Sequence, residues 1–249
     1  MDTEIEKTLA ALRSRHLHGF YSENVEDACL QITNLIPQGA VVGVGDSATV
    51  RQIGILKILE GKGVEVLNAY KTEGTKIEPE EAHAHHKKVT RKASLTDVFI
   101  AGTNALTQDG RLVNVDAVGN RVSGMVWGHP VSVIVVGKNK IVKDLDEAFQ
   151  RIRKIIAPSH VRIRAVELGG RKRKTPCVET GECGDCRSPD RICNVFTIIE
   201  NKPFYTDLNV IVVNEDLGLG WSPDWPESRI RNIRENYKKF AWLPEMNYR

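Results

Sequence analysis

The fold class of this chain follows from one stretch of its sequence, Ala40-Val41-Val42-Gly43-Val44-Gly45-Asp46-Ser47-Ala48-Thr49. Residues 40–44 form a continuous apolar run of strand length, and small and hydroxyl residues then lead into a helix with apolar positions over 53–59. A second apolar run at 64–67 completes a strand, helix, strand unit. Because such a unit places its two strands parallel, the sequence predicts an α/β protein.

Further helices and strands are predicted on both sides of this unit. Residues 25–36 have the spacing of an amphipathic helix, and residues 97–101 and 131–136 are predicted to be buried strands. Gln108-Asp109-Gly110 is a turn signal between two short apolar runs. We therefore expect an antiparallel hairpin within an otherwise parallel pattern.

Two further helices differ in character. Asp144, with Glu147 three residues later, forms a capping box, and the helix that follows is expected to end at Pro158. The segment 79–93 is polar and rich in His and Lys, which predicts a solvated helix on the surface.

These elements predict a single domain over residues 1–249. It is expected to be α/β, a mostly parallel sheet with helices on both faces and an antiparallel hairpin. Residues 160–194 lose clear periodicity and become first basic and then rich in cysteine, which predicts a metal-binding excursion from the domain. C-terminal strands and a helix follow over 195–249.

Composition narrows the classes of function. The chain has 249 residues, 41% hydrophobic and 27% charged, which is near the globular average and excludes collagen-like and disordered classes. A formal charge of +3 is too small to predict a nucleic-acid partner. No apolar run approaches the roughly 20 residues of a membrane-spanning helix, and the first residues lack a signal-peptide pattern. We expect a cytoplasmic protein without membrane insertion.

The glycine loop after the first strand of the unit is a candidate anion site. Free backbone N–H groups around Gly43 and Gly45 meet the positive end of a helix dipole there, and the hydroxyls of Ser47 and Thr49 add donors. One alternative is that the glycines only make a tight turn and Asp46 or Ser47 caps the helix. Another is a dinucleotide-binding fingerprint, Gly43-x-Gly45-x-x-Ala48, with Glu65 about 20 residues on.

A second group of polar residues follows the strand at 97–101. It comprises Asn104, Asn114, Asp116, Asn120 and Arg121. Because Asn and Asp are costly inside strands, their presence among apolar strand residues predicts side chains presented around a substrate cleft. Asp116 is the candidate catalytic base, and no other residue is assigned a catalytic role.

Both polar segments, together with Thr96-Asp97-Val98-Phe99, resemble the LUD, or lactate utilisation, family over residues 20–160. The resemblance implies a fold like that of the NagB/RpiA/CoA-transferase proteins, in which the equivalent glycine and hydroxyl loop binds a sugar phosphate or another anion. It also implies oxidation of lactate to pyruvate beside separate iron–sulfur proteins. This chain departs from the family pattern because it carries its own cysteine cluster.

That cluster is the strongest metal signal in the sequence. Cys177, Cys183, Cys186 and Cys193 lie among Gly and Pro residues that let the backbone wrap round a metal, whereas Cys29 lies alone in an apolar helix. Only Cys183 and Cys186 have the C-x-x-C spacing typical of zinc knuckles. We therefore expect an iron–sulfur cluster of the 4Fe–4S type, with zinc as the alternative and bystander thiols as a third reading.

The leading hypothesis for function combines these signals. It is an iron–sulfur subunit that oxidises a small 2-hydroxy acid such as lactate to pyruvate. The ligand is expected to be a small organic acid anion or a phosphorylated compound, and the partners electron-transfer proteins and a second copy of the chain. The basic segment 162–174 would balance the thiolate charge or dock an acidic partner.

Two alternatives remain open from the sequence. One is a sugar-phosphate isomerase or an acyl-CoA-handling enzyme in which the cysteines hold structural zinc. The other is a binding protein that senses a metabolite or the redox state through its metal site.

Overall fold

The computed structural model describes residues 2–71 and 79–243. The strands in these ranges are β1 (His18–Ser22), β2 (Val41–Val44), β3 (Glu65–Leu67), β4 (Val98–Gly102), β5 (Ala105–Thr107), β6 (Leu112–Asp116), β7 (Val131–Gly137), β8 (Ile141–Val142), β9 (Val195–Ile199) and β10 (Asp207–Val213). The α-helices are α1 (Thr3–Ser14), α2 (Val25–Leu35), α3 (Ala48–Gln52), α4 (Ile55–Gly61), α5 (Pro79–Ala93), α6 (Asn120–Val126), α7 (Leu145–Arg151), α8 (Ala157–Arg162), α9 (Pro176–Thr180) and α10 (Glu227–Phe240).

The main sheet is parallel, as the strand, helix, strand unit predicted. It has six strands in the order β1-β10-β7-β4-β2-β3. Every neighbouring pair in it is parallel, including β2 with β3 across the connection made by α3 and α4. The βαβ unit of the sequence is therefore confirmed.

Both faces of the main sheet are covered. Along β4, Val98 and Ile100 point into one core with α2 and α4, whereas Phe99 and Ala101 point into a second core with α1 and a smaller sheet. Cys29 of α2 lies in the first core, as expected. Burial on both faces is typical of a parallel sheet, and the predicted α/β class with helices on both faces is confirmed.

The antiparallel hairpin lies in a second sheet of four strands, in the order β8-β5-β6-β9. β5 and β6 pair antiparallel across the predicted turn, and β6 pairs antiparallel with β9. The turn needs glycine because Gly110 has a φ of +86° and a Cβ there would lie 2.7 Å from the backbone carbon of Ala11. The hairpin is confirmed, and it packs over the main sheet.

The helix that begins after Asp144 is longer than predicted. Its cap is as expected, since Asp144 Oδ1 accepts a hydrogen bond from the Glu147 N–H at 3.0 Å. The prediction that it ends at Pro158 is wrong, because helical structure continues to Glu167. A π-helical turn over Ile152–Ile156 precedes the proline, and the Ala157 N–H bonds to the carbonyl of Ile152, five residues back. The widened turn accommodates a residue that has no N–H of its own.

Two further boundaries differ from the sequence prediction. β1 was not predicted, and it forms the edge of the main sheet by pairing with β10. The excursion expected over 160–194 leaves the helix only after Glu167. The C-terminal strands belong to different sheets, with β9 in the small one and β10 in the main one. The extent of a single domain over 1–249 stays a prediction.

Across residues 2–71 and 79–243, no helix has the length and apolar character needed to cross a bilayer.

Candidate functional site

The carboxyl ends of β2 and β4 form the edge where this topology favours a ligand. The chain runs from β2 outward to β3, and from β4 in the opposite direction to β7 and β10. Open α/β sheets bind ligands outside the carboxyl ends of strands at such a reversal. Asp46 and Ser47 follow β2, and Thr103 and Asn104 follow β4. Two segments predicted to bind a ligand therefore meet at one edge.

Close packing surrounds both glycines of the predicted anion loop. A Cβ on Gly43 would lie 2.2 Å from the carbonyl oxygen of Ala93. A Cβ on Gly45 would lie 2.9 Å from Cγ of Arg121. These glycines make room for neighbouring protein atoms, and anion binding by their backbone stays a prediction.

The two hydroxyl residues of the loop have partners within the protein. Ser47 Oγ accepts a hydrogen bond from the Val50 N–H at 3.2 Å and so caps α3. Thr49 Oγ1 accepts one from Lys140 Nζ at 2.7 Å. Both side chains are buried. Capping by Ser47 is one of the alternatives that the sequence analysis left open, and the structure contains that bond.

Lys140 is a buried cation that sequence reasoning missed. It follows β7 through a short 3-10 turn, and its Nζ also donates to the carbonyl of Thr103 at 3.0 Å. Burial, and then the charge of Arg121, lower the pKa of Lys140 to about 7. Among the described residues no carboxylate lies within 4.0 Å of Lys140. The available signal was a lysine just after a buried strand, at the carboxyl edge of the sheet.

The predicted cleft residues converge on one guanidinium. Arg121 Nη1 donates to the Gly102 carbonyl at 2.8 Å and to Asn114 Oδ1 at 2.9 Å. Its Nη2 donates to Asn104 Oδ1 at 2.9 Å and to the Val115 carbonyl at 2.7 Å. Arg121 is buried, and these four bonds tie the hairpin to the end of β4. The sequence grouped the right residues, but their hydrogen bonds are to one another.

Asp116 has a capping role in the structure. Its Oδ1 accepts from the Val118 N–H at 3.2 Å and its Oδ2 from the Val122 N–H at 3.1 Å, at the start of α6. Asn120 Nδ2 donates to the hydroxyl of Tyr70 at 2.9 Å. Action of Asp116 as a base stays a prediction.

A second group of titratable side chains lies beside the loop and is called the Asp46 cluster below. Its members are Asp46, Arg51, His160, Arg164 and Tyr237. Asp46 Oδ1 accepts a hydrogen bond from Arg51 Nη1 at 2.9 Å, and 32% of the Asp46 side chain remains exposed. Burial alone would raise the pKa of Asp46, but Arg51, Arg164 and His160 outweigh it and hold that pKa below its usual range.

His160 is the neutral centre of the Asp46 cluster. Arg164 Nη1 donates to His160 Nε2 at 3.2 Å, and His160 Nδ1 is hydrogen-bonded to the hydroxyl of Tyr237. Burial, and then the Arg164 charge, lower the pKa of His160 to about 3. The imidazole is therefore uncharged at neutral pH and serves as an acceptor for the arginine.

Aromatic rings close one side of the Asp46 cluster. Tyr70 packs edge-on against His86 and Trp242, with 5.1 Å between ring centroids in each pair. His86 stacks on Trp242 at 5.4 Å, and the Arg164 guanidinium lies over Trp242 at 5.5 Å from its centroid. The expectation of a purely solvated helix over 79–93 is wrong at His86, which is half-buried because the C-terminal segment packs on it.

The four clustered cysteines surround one pocket, together with Ala157, Pro158 and Val161 of α8. They are Cys177, Cys183, Cys186 and Cys193. All four are free thiols of intermediate exposure. Within the residues that the structure describes, no three His, Cys, Asp or Glu side chains form a group that could hold a metal ion as they stand. The cysteines share a cavity without converging on a single point.

Arg191 braces the cysteine loop. Its Nε donates to the Cys193 carbonyl at 3.0 Å, and its Nη1 donates to the Cys186 carbonyl. Its Nη2 pairs with Asp185 at 3.0 Å. Burial raises the pKa of Cys193, against the opposing charge of Arg191. One arginine thus holds two cysteine positions of the loop at fixed places.

The basic segment before the cysteines has an acidic partner in the same loop. Asp190 accepts a hydrogen bond from the Lys174 N–H at 2.9 Å and pairs with Arg171 at 3.3 Å. Arg173 Nη1 donates to the Asp190 carbonyl at 3.3 Å. Asp190 therefore neutralises part of the charge of the basic segment, and the balance between that segment and the thiolates stays a prediction.

One helical segment borders both the cysteine pocket and the Asp46 cluster. Ala157, Pro158 and Val161 line the pocket. His160 and Arg164, on the same segment, make the bonds of the Asp46 cluster. Ala157 and Val161 lie three residues before His160 and Arg164 respectively, so the two sets occupy adjoining parts of the same helix surface.

The parallel sheet with its polar carboxyl edge defines an α/β protein. A family model matches most of the chain. The model of the LUD domain matches residues 5–213, and the chain belongs to the LUD domain family. The matched range includes all four clustered cysteines.

A solved structure of a DUF162 family protein from Deinococcus radiodurans is similar to this chain at 14% sequence identity. The similarity covers 84% of this chain and 96% of that one, with a TM-score of 0.43. The chain matches no curated protein.

Proposed function

We propose that this LUD-domain protein binds a small 2-hydroxy acid such as lactate and takes part in its oxidation to the 2-oxo acid. In this proposal Cys177, Cys183, Cys186 and Cys193 hold an iron–sulfur cluster of the 4Fe–4S type. The resemblance to the lactate utilisation family supports the substrate class. The shared pocket of the four thiols supports the metal site.

The spacing of the cysteines along the chain supports a cluster over a single zinc ion. Structural zinc usually uses paired C-x-x-C knuckles, and only Cys183 and Cys186 have that spacing. An iron–sulfur cluster also takes four thiolates. The described cysteines line one cavity but form no group that could hold a metal ion as they stand, so the proposal requires the loop to rearrange when the metal binds.

The observation that carries the proposal is the helical segment common to both sites. Pro158 and Val161 border the cysteine pocket, while His160 and Arg164 belong to the Asp46 cluster. An α-helix with its side chains is about 10–12 Å across, so a ligand at the cluster and a metal group in the pocket would be close neighbours. Electron transfer between them would need no large movement.

The chemistry divides between protein groups and partners. Oxidation of a 2-hydroxy acid to a 2-oxo acid releases two electrons and two protons. When bound, an iron–sulfur cluster supplies one-electron transfer, so a further electron acceptor is required. The proposal assigns that acceptor to a separate electron-transfer protein. The protein's own residues bind and orient the acid and accept a proton. Asp46 and Asp116 are the carboxylates at the carboxyl edge of the main sheet.

Anaerobic purification with iron, sulfide and zinc analysis tests the metal site. We expect iron and sulfide in the wild-type protein and a clear loss of both in Cys186→Ser. Cys29→Ser is the matched control, because Cys29 is a buried thiol in the core of the main sheet. Equal metal content in wild type and Cys186→Ser would show that the ligand assignment is wrong.

The same preparation separates the alternative functions. A colourless protein that contains zinc would support a non-redox enzyme, such as a sugar-phosphate isomerase or an acyl-CoA-handling enzyme. A protein that contains iron and binds acid, but reduces no acceptor when lactate is added, would support a sensor. Lactate-dependent reduction of an artificial one-electron dye is the outcome that the proposal requires.

A further inference from the structure

Arg164 is the charged side chain of the Asp46 cluster with the most unused hydrogen-bonding capacity. Among the described residues only its Nη1 donates a hydrogen bond, and the acceptor is the neutral His160. Its Nε is buried and has no hydrogen-bond partner among the described residues. Within residues 2–71 and 79–243, Nη2 of Arg164 makes no hydrogen bond and Arg164 forms no ion pair.

The unused atoms lie on one edge of the guanidinium. The Nε and Nη2 of an arginine point in parallel and match the two oxygens of a carboxylate or phosphate. A buried donor without a partner is unfavourable, so such groups are rare unless a ligand or water completes them. Stacking of the guanidinium on Trp242 at 5.5 Å holds it in place.

Asp46 offers the complementary group. Its Oδ1 is taken by Arg51, whereas its Oδ2 has no hydrogen-bond partner in the described ranges. The side chain is 32% exposed, so a ligand can reach it.

Hydrogen bonds join both groups to the last turn of α10. Arg51, the partner of Asp46, donates through Nε to the Phe240 carbonyl at 2.7 Å. His160, the partner of Arg164, is bonded to the hydroxyl of Tyr237. The Arg164 charge also lowers the pKa of Asp46.

The net charge favours an anion. Arg51 and Arg164 contribute two positive charges, Asp46 one negative charge and His160 none at neutral pH, and Arg173 adds a further positive charge that acts on both His160 and Arg164. The cluster therefore carries a surplus of positive charge that a bound carboxylate would reduce.

We infer that the Nε and Nη2 edge of Arg164 binds the carboxylate of a monocarboxylic acid, and that Asp46 Oδ2 accepts a hydrogen bond from a hydroxyl next to that carboxylate. The inference rests on the proposed function for its substrate class. It assigns the acid to the Asp46 cluster, with Arg164 as the anchor and Asp46 as the group that selects hydroxy acids.

Binding without turnover tests this assignment. Isothermal titration calorimetry would compare L-lactate, D-lactate, propionate and inorganic phosphate on the purified full chain. We expect wild type to bind a lactate enantiomer more tightly than propionate or phosphate. Arg164→Lys keeps the charge but removes the paired donors, and it should weaken lactate binding about tenfold or more. The control is Arg231→Gln, on the exposed face of α10, which should leave binding unchanged.

Asp46→Asn tests the selection of the hydroxyl. It should bring the affinities for lactate and propionate closer together, because the amide can no longer offer two carboxylate oxygens. A lactate preference as large as in wild type would overturn the role of Asp46. Circular dichroism would check that each variant is folded.

A direct measurement avoids dependence on the variants' stability. The Nε–H resonance of Arg164 in a ¹H–¹⁵N spectrum is identified by its loss in Arg164→Lys, and lactate should shift it in wild type. Absence of a shift, tighter binding of phosphate, or no binding of any of the four ligands would overturn the inference. Lactate binding in a protein without iron would contradict the redox proposal alone. Iron together with lactate binding that Arg164→Lys leaves unchanged would contradict the Arg164 assignment alone.

Discussion

Replacing Lys140 by methionine should change how the stability of this protein depends on pH. The amine is buried between Thr49 and Thr103, and its pKa is lowered from 10.5 to about 7 in the folded chain. Below about pH 7 both the folded and unfolded states carry the proton. Above that pH the folded state loses it first, so the unfolded state binds more protons and wild-type stability rises with pH.

The magnitude follows from the size of the pKa shift. Each pH unit between the folded and unfolded pKa values is worth about 1.4 kcal/mol. From about pH 6 to about pH 9, the free energy of unfolding of wild type relative to Lys140→Met should therefore rise by about 3 kcal/mol. Methionine has a similar length and does not titrate, so the difference between the two curves isolates the amine.

Urea unfolding followed by circular dichroism, with a thiol reductant throughout, measures this difference. Titrations of other groups are common to both proteins and cancel. Lys138→Met is the matched control, because Lys138 lies in the same turn but is only half-buried and donates to Asn214 at 3.2 Å. Parallel stability curves for wild type and Lys140→Met over this range would refute the reasoning.

Three further predictions concern stability. When the pH falls from about 7 to about 5, the free energy of unfolding of wild type should decrease by about 2 kcal/mol relative to that of His160→Gln. The reason is that His160 takes up a proton in the unfolded state but not in the folded state, where its pKa is about 3. Equal decreases for the two proteins in urea titrations would contradict this. Gly43→Ala should destabilise by about 3 kcal/mol, since its Cβ would lie 2.2 Å from the Ala93 carbonyl, whereas Gly61→Ala, with nothing within 4 Å, should be neutral or stabilising in the same thermal melts. Asp144→Ala should cost about 1 kcal/mol through loss of its cap, and an unchanged urea midpoint would count against it.

Predictions from short sequence patterns are confirmed where the contacts that decide them are between neighbouring residues. The apolar run at 40–44, the turn at 108–110 and the capping box at Asp144 each report on a few neighbouring residues. Their outcomes depend on backbone geometry and burial that nearby residues largely fix. The rule that proline ends a helix is also local, and it failed at Pro158 because a π-helical turn placed the proline at the start of a new helical turn.

The candidate site was predicted in part. Sequence reasoning grouped Asn104, Asn114 and Arg121, and all three share one hydrogen-bond network. Whether such side chains face a ligand or one another depends on the direction in which each points, which periodicity does not encode. Lys140 and Arg164 were not predicted as site residues because their partners are distant in the sequence. Lys140 donates to Thr49, and Arg164 lies over Trp242.

The amino-acid sequence by itself determined the α/β class, the βαβ unit and the hairpin. It also determined that four thiols lie near one another, because they are close together along the chain. Only the tertiary structure decided that β1 joins β10, that the hairpin belongs to a second sheet, and that Arg164 lies over Trp242. The physical reason is the separation along the chain over which each kind of interaction acts. Pattern and propensity act within a few residues, whereas pairing, burial and charge coupling are set by chain segments that meet only after the two cores have packed.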